Sequence, residues 1–135
     1  MEDHNPQEKQ ELASQESKKQ AQFWLEYGQQ LSDSIRYTEA LAAIERAVSL
    51  DEMNVEAWYA KGTCLAMLAR YDEALETFEH ALSLDETYIP AWDGKAWALG
   101  ILEKREEALA AVNRALELDP EYFDARKRKQ RLEKM

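Results

Sequence analysis

Residues 55–88 read VEAWYAKGTCLAMLARYDEALETFEHALSLDETY. Trp58, Lys61, Gly62 and Leu65 fall at i, i+3, i+4 and i+7, one face of a helix over 57–68. Ala74, Phe78 and Ala81 repeat that spacing over 72–84. Only Ala69-Arg70-Tyr71 separates the two patterns, a connector so short that the helices must pack antiparallel.

The hairpin recurs on both sides. Trp24, Trp58 and Trp92 stand 34 residues apart. Gly28, Gly62 and Ala96 keep that interval, as do Leu31, Leu65 and Leu99, then Ala40, Ala74 and Ala108, and Ala47, Ala81 and Ala115. Each unit closes on a Leu-Asp pair: Leu50-Asp51, Leu84-Asp85, Leu118-Asp119. A period held through so many positions without an insertion marks a repeat architecture. In each unit a small residue on the first helix faces an Ala on the second, which lets the backbones approach, and the Trp is expected to fill the layer above.

These residues resemble the tetratricopeptide (TPR) repeat pattern: Trp58, Lys61, Gly62 and Leu65, then Ala74, Phe78 and Ala81, then Asp85. The resemblance covers residues 21–122, with Lys61 and Lys95 in place of the family's usual Leu and only one closing Pro, Pro120. It implies an all-α solenoid, a superhelix of three antiparallel hairpins (21–54, 55–88 and 89–122), followed by a capping helix over 123–135. The first helix of each pair would line a concave groove.

Residues 1–20 contain one Leu and one Ala among almost only polar groups, so they read as a disordered, solubilising lead with some helical tendency, the alternative being a frayed extension of the first helix. At the other end, Tyr122, Phe123, Ala125 and Leu132 supply an apolar side for a terminal helix that covers the open flank of the last hairpin. Gly94 and Gly100 weaken the first helix of the third unit, which should be the least rigid.

Composition bounds the function. From Phe123 onward six Lys and Arg face two carboxylates, leaving residues 1–122 with 11 basic and 25 acidic residues. So acidic a body repels phosphate backbones, and nucleic acid is not the expected partner. There is no apolar run of bilayer length, so membrane insertion is not expected. A single cysteine, Cys64, cannot form an internal disulfide and makes a cytoplasmic setting the default. No nucleophile with a base, phosphate loop or metal-ligand cluster stands out, so neither catalysis nor a cofactor or metal is expected. His80 beside Glu76 and Glu79 reads as exposed polar surface.

What remains is binding of protein. First-helix residues pointing away from the Trp-Gly-Leu stripe give the expected groove: Leu25 and Gln29 in unit one, Tyr59, Thr63 and Met67 in unit two, Trp97 and Ile101 in unit three, then Lys127, Arg128 and Arg131 in the last helix. Such a trough would take a peptide or helix of a partner, its apolar anchors on Tyr59, Met67, Trp97 and Ile101 and its acidic side chains on the cations. Trp97 lies outside the 34-residue series, so the repeat core does not require it. One branch of the family grips acidic chaperone tails with a clamp of Lys, Asn and Arg; the groove positions of the three units here lack its cations. The reading is therefore an adaptor or assembly scaffold, co-chaperone-like in the wide sense. Self-association through the exposed edge of unit one (Phe23, Trp24, Leu25), giving a homodimer, is the alternative.

Overall fold

The computed structural model describes residues 5–135, and among these it is all helix and turn. The seven helices are α1 (Pro6–Asp33), α2 (Tyr37–Leu50), α3 (Val55–Met67), α4 (Tyr71–Leu84), α5 (Ile89–Ile101), α6 (Arg105–Leu118) and α7 (Phe123–Glu133). They fall into two compact units, one ending at Asn54 and the other running from Val55 to Met135.

In the first unit α1 packs on α2. Their approach is close where Gly28 sits: a Cβ there would lie 2.5 Å from Ile44 Cγ1 and 3.2 Å from the Ala40 carbonyl oxygen. Ala21, Leu25, Leu31, Ala40, Leu41, Ile44 and Ala47 form the buried side.

In the second unit α3–α4 and α5–α6 are the hairpins, α4 packs against α5, and α7 lies on α5 and α6. Phe78 on α4 is fully buried, and its ring occupies the space left by two glycines. A Cβ would come within 2.7 Å of that ring at Gly62 and within 2.6 Å at Gly94. Gly94, a weak helix former by sequence, is thus the seat of the largest core side chain. Ala125 and Leu132 of α7 join Ala96, Leu99, Ala108, Val112 and Ala115 in one core cluster.

The hairpin turns repeat in backbone as well as in sequence. Ile35, Ala69 and Glu103, again 34 apart, all adopt the left-handed region, with φ of 62°, 61° and 62°. The next amide in each case donates back to the helix just ended, Arg36 to Leu31, Arg70 to Leu65 and Lys104 to Leu99, at 2.8–2.9 Å. Orphan carbonyls of the first helix are thereby satisfied. Arg36 pairs with Glu39 and Arg70 with Glu73 in the following turn. Between hairpins the closing aspartates cap the turn: Asp85 Oδ1 accepts from the Thr87 amide at 2.9 Å and hydroxyl at 2.6 Å. Asp119 accepts from the Glu121 amide at 3.0 Å.

The N-terminus differs from expectation. Residues 6–20, disordered by composition, continue α1 as helix; the first four residues lie outside the described ones. The cause is local. Asn5 caps the helix in a reciprocal box with Glu8: the Glu8 amide donates to Asn5 Oδ1 at 2.8 Å and the Asn5 amide to Glu8 Oε2 at 3.2 Å. Pro6 occupies the first turn, where no N–H is needed. Packing of residues 21–31 on α2 supplies the nucleus that the extension propagates.

The tryptophans are also placed differently. Trp24, Trp58 and Trp92 are half-buried, and each carries a cation over its ring: Arg46 at 5.5 Å, Lys61 at 5.3 Å and Lys95 at 5.5 Å. The Lys that replaces Leu in units two and three therefore sets its ammonium over the face of the indole. The His80 ring lies tilted against the Trp58 ring, with centroids 4.0 Å apart.

Candidate functional site

Four of the expected groove residues meet in one hollow of about 230 Å3 between α5 and α7. Ala96, Trp97, Gly100 and Ile101 form its α5 wall, and Arg128, Arg131, Leu132 and Met135 come from α7 and the terminus. The spacing explains the meeting. Trp97 and Ile101 are one helical turn apart on α5, and Arg128, Arg131 and Leu132 share a face of α7. Gly100 keeps the floor low, since a Cβ there would lie 3.3 Å from Leu132 Cδ2.

The two arginines have different duties. Arg128 grips Asp93, Nε to Oδ1 at 2.7 Å and Nη2 to Oδ2 at 3.2 Å, and its guanidinium lies 5.9 Å from the Trp97 ring centroid. Both partners are largely shielded from solvent. This corrects the expectation that Arg128 grips a ligand: its fork is already occupied by a carboxylate of α5. Arg131 is exposed, has no ion pair among the described residues, and stands at the rim of the hollow. Lys127 lies over the Phe123 ring at 4.9 Å, outside the hollow. Phe123 itself faces solvent instead of capping the core.

Beside the Asp93–Arg128 pair stands a group of tyrosines. Tyr59 on α3 packs against Phe78 and Tyr88, with ring centroids 5.8 and 5.7 Å apart. Burial raises its phenol above the ordinary value, and the Asp93 and Asp124 carboxylates push the same way. Burial, aided by Glu56 and Tyr59, pushes Tyr88 up to about 12. Burial, aided by Tyr59, Asp93 and Asp124, does the same to Tyr122, also to about 12. These phenols stay neutral at any physiological pH and offer hydroxyls without charge.

The remaining expected residues are dispersed. Thr63 donates its hydroxyl to the Tyr59 carbonyl at 3.2 Å, and Met67 is exposed near the end of α3. Gln29 lies half-buried in the first unit. Leu25 is fully buried and cannot touch a ligand. It points the other way because Ala21, Leu25, Gly28 and Leu31 form the inward stripe of α1. A second hollow, of about 360 Å3, lies among α4, α5 and α6 and is lined by Glu79, Leu82, Ser83, Glu86, Trp92, Lys95 and Arg114. Sequence reasoning misses it; Lys95 and Arg114, charged positions on two adjacent helices of one unit, are the available signal. Cys64 is buried, and no group of three potential metal ligands occurs among the described residues.

Family models for the tetratricopeptide repeat match residues 28–89 and 89–122. The chain belongs to the tetratricopeptide repeat family. Among curated proteins none matches it in sequence. Its backbone is similar to the Arabidopsis OM64 TPR domain, at 20% identity and a TM-score of 0.85, covering 87% of this chain and 98% of that one. It is similar also to the first TPR of Spaghetti (RPAP3), solved bound to an HSP90 peptide, at 23% identity and a TM-score of 0.83, covering 87% and 93%. YrrB, a TPR protein with an unusual peptide-binding site, is 28% identical with a TM-score of 0.77 over 82% of this chain and 57% of its own. The all-α TPR fold is thereby established; of these neighbours, the Spaghetti domain carries an HSP90 peptide and YrrB has a peptide-binding site. No described helix is long and apolar enough to cross a membrane.

Proposed function

We propose that this chain is a non-catalytic adaptor that holds a peptide segment of a partner protein against α5 and α7, seating an apolar side chain in the hollow beside Trp97. One observation carries the reading: an apolar hollow walled by Trp97, Ile101, Leu132 and Met135 that the repeat core leaves unfilled, with Arg131, which has no ion pair among the described residues, at its rim. Its shape selects an aliphatic or aromatic anchor, and Arg131 favours an acidic neighbour of that anchor.

The HSP90 peptide seen on a structural neighbour is an acidic segment too. Here the α5 residues of the hollow are Ala96, Trp97, Gly100 and Ile101, none of them cationic, while the cations belong to α7. A co-chaperone role through a lysine-rich clamp is therefore not the form of binding proposed; an anchor-led contact is. The interface would be small and its affinity modest. The lone buried Cys64 suits a reducing, cytoplasmic setting.

Screening a displayed peptide library against the full chain tests this. Wild type should select peptides with one large apolar residue next to acidic ones. A Trp97→Ala/Arg131→Glu variant of unchanged helicity should lose them at least tenfold. Equal selection by both proteins removes the proposed site.

A further inference from the structure

The first four turns of α1 stand free. From Pro6 to Gln20 every residue is exposed but for the half-buried Ser17, so the helix that the Asn5 cap begins buries almost nothing against the rest of the described chain. Its charge is unusual for this protein: three Glu (Glu8, Glu11, Glu16) and three Lys (Lys9, Lys18, Lys19) cancel, whereas the body is strongly acidic. Along this segment two copies can approach without net repulsion.

One stripe runs along it. At about 100° per residue, Leu12, Glu16, Lys19, Phe23 and Tyr27 fall within a narrow arc. Leu12 is 49% exposed, Phe23 60% and Tyr27 44%, large apolar groups left in water. Phe23 is held in place, edge-on to Trp24 at 5.4 Å and stacked on Tyr27 at 6.4 Å. Neither Glu16 nor Lys19 has an ion-pair partner among the described residues.

We infer that α1 pairs antiparallel with α1 of a second copy, about a two-fold axis between Ser17 and Lys18. The stripe is self-complementary in that register and in no other near it. Leu12 meets Phe23 of the second copy, Glu16 meets its Lys19, and the symmetry repeats both contacts in reverse. Opposite charges thus flank the axis and apolar contacts close both ends, the arrangement that fixes register and orientation in paired helices. Glu11 and Lys18 lie on the opposite side of the helix, away from the pairing face. This surface shares Phe23 with the repeat edge that the sequence suggested but not Leu25, which is buried, and is independent of the hollow at α5 and α7.

Sedimentation of the full chain over a concentration series tests the pairing through charge. Wild type should form a reversible dimer. Glu16→Lys or Lys19→Glu alone places like charges across the axis and should weaken the dimer roughly tenfold. In an equimolar mixture of the two single variants, one copy presents lysine at both positions and the other presents glutamate at both. That mixture should associate at least as tightly as wild type. Helix fraying in the single variants could not produce that recovery. A monomer at all concentrations overturns the inference, and so does a dimer insensitive to the single reversals, or a mixture that behaves as its two components do.

Discussion

Arg128 on α7 and Asp93 on α5, 35 residues apart, form a two-bond ion pair at 2.7 and 3.2 Å. A second arginine holds the same helix at its other end: Arg105 Nε donates to the Leu132 carbonyl at 2.8 Å. Between these latches and beside them, Ala125 and Leu132 are buried. Docking of α7 therefore combines polar latches with an apolar seam, and the hollow beside Trp97 exists only while α7 is docked.

Removing one member of the pair leaves the other shielded and alone. Asp93→Ala should cost about 2–4 kcal/mol in denaturant unfolding. Asp93→Ala/Arg128→Met, which removes both charges and keeps most of the volume, should recover part of that loss. A double variant no more stable than the single one would mean that the pair's charge is not what holds α7.

Gly94→Ala should be destabilising despite the better helix propensity of Ala, because the new Cβ would lie 2.6 Å from the Phe78 ring. The expected loss is about 1–3 kcal/mol. Combining it with Phe78→Leu should return some of the stability, and thermal melts of the four proteins give the coupling.

Ile35→Gly should act in the opposite sense. Ile35 is a β-branched residue at φ 62°, 74% exposed, and therefore strained with little contact to lose. Glycine relieves the strain, and a gain of about 1 kcal/mol is expected in chemical denaturation. A loss of stability would show that the Ile35 side chain contributes packing.

Alkali should loosen the second unit. Tyr88 and Tyr122 are both pushed up to about 12, and Tyr59 is raised as well. A phenol whose folded value lies above its unfolded value of about 10 stabilises the fold fully below about pH 10. That contribution is lost as pH climbs from about 10 towards about 12. Ultraviolet titration of tyrosinate should show a late-ionising fraction that becomes normal in denaturant, and Tyr122→Phe should reduce it.

Whatever repeats is legible in the sequence. Hairpins, their short connectors, the closing aspartates and the outward position of Trp97 all follow from a 34-residue period. Trp97, Ile101, Arg128 and Arg131 are each expected at a groove, and the structure brings them to one hollow. The pairing of Arg128 with Asp93 is not legible, because it depends on how α7 lies across α5, which no spacing encodes. Leu25 reads as outward when the stripe is centred on Trp24; the buried line of α1 instead runs through Ala21, Leu25, Gly28 and Leu31. The helix over 6–20 is hidden by its polar composition, although Asn5-Pro6-Gln7-Glu8 spells a capping box with proline in the first turn. Ile35, Ala69 and Glu103 carry no glycine signature, so their left-handed backbone is invisible from residue type.

Phe78 belongs by sequence to the middle repeat, yet its ring rests against Gly62 on α3 and Gly94 on α5. A repeat in this unit is thus not an interchangeable cassette. Duplicating, deleting or transplanting the hairpin of α3 and α4 at its sequence boundary would either strand the aromatic ring without its second seat or set it against a residue that has a side chain. Lengthening this solenoid by inserting repeats must therefore copy a segment whose ends lie inside helices, so that each phenylalanine travels with the glycine of the hairpin that follows.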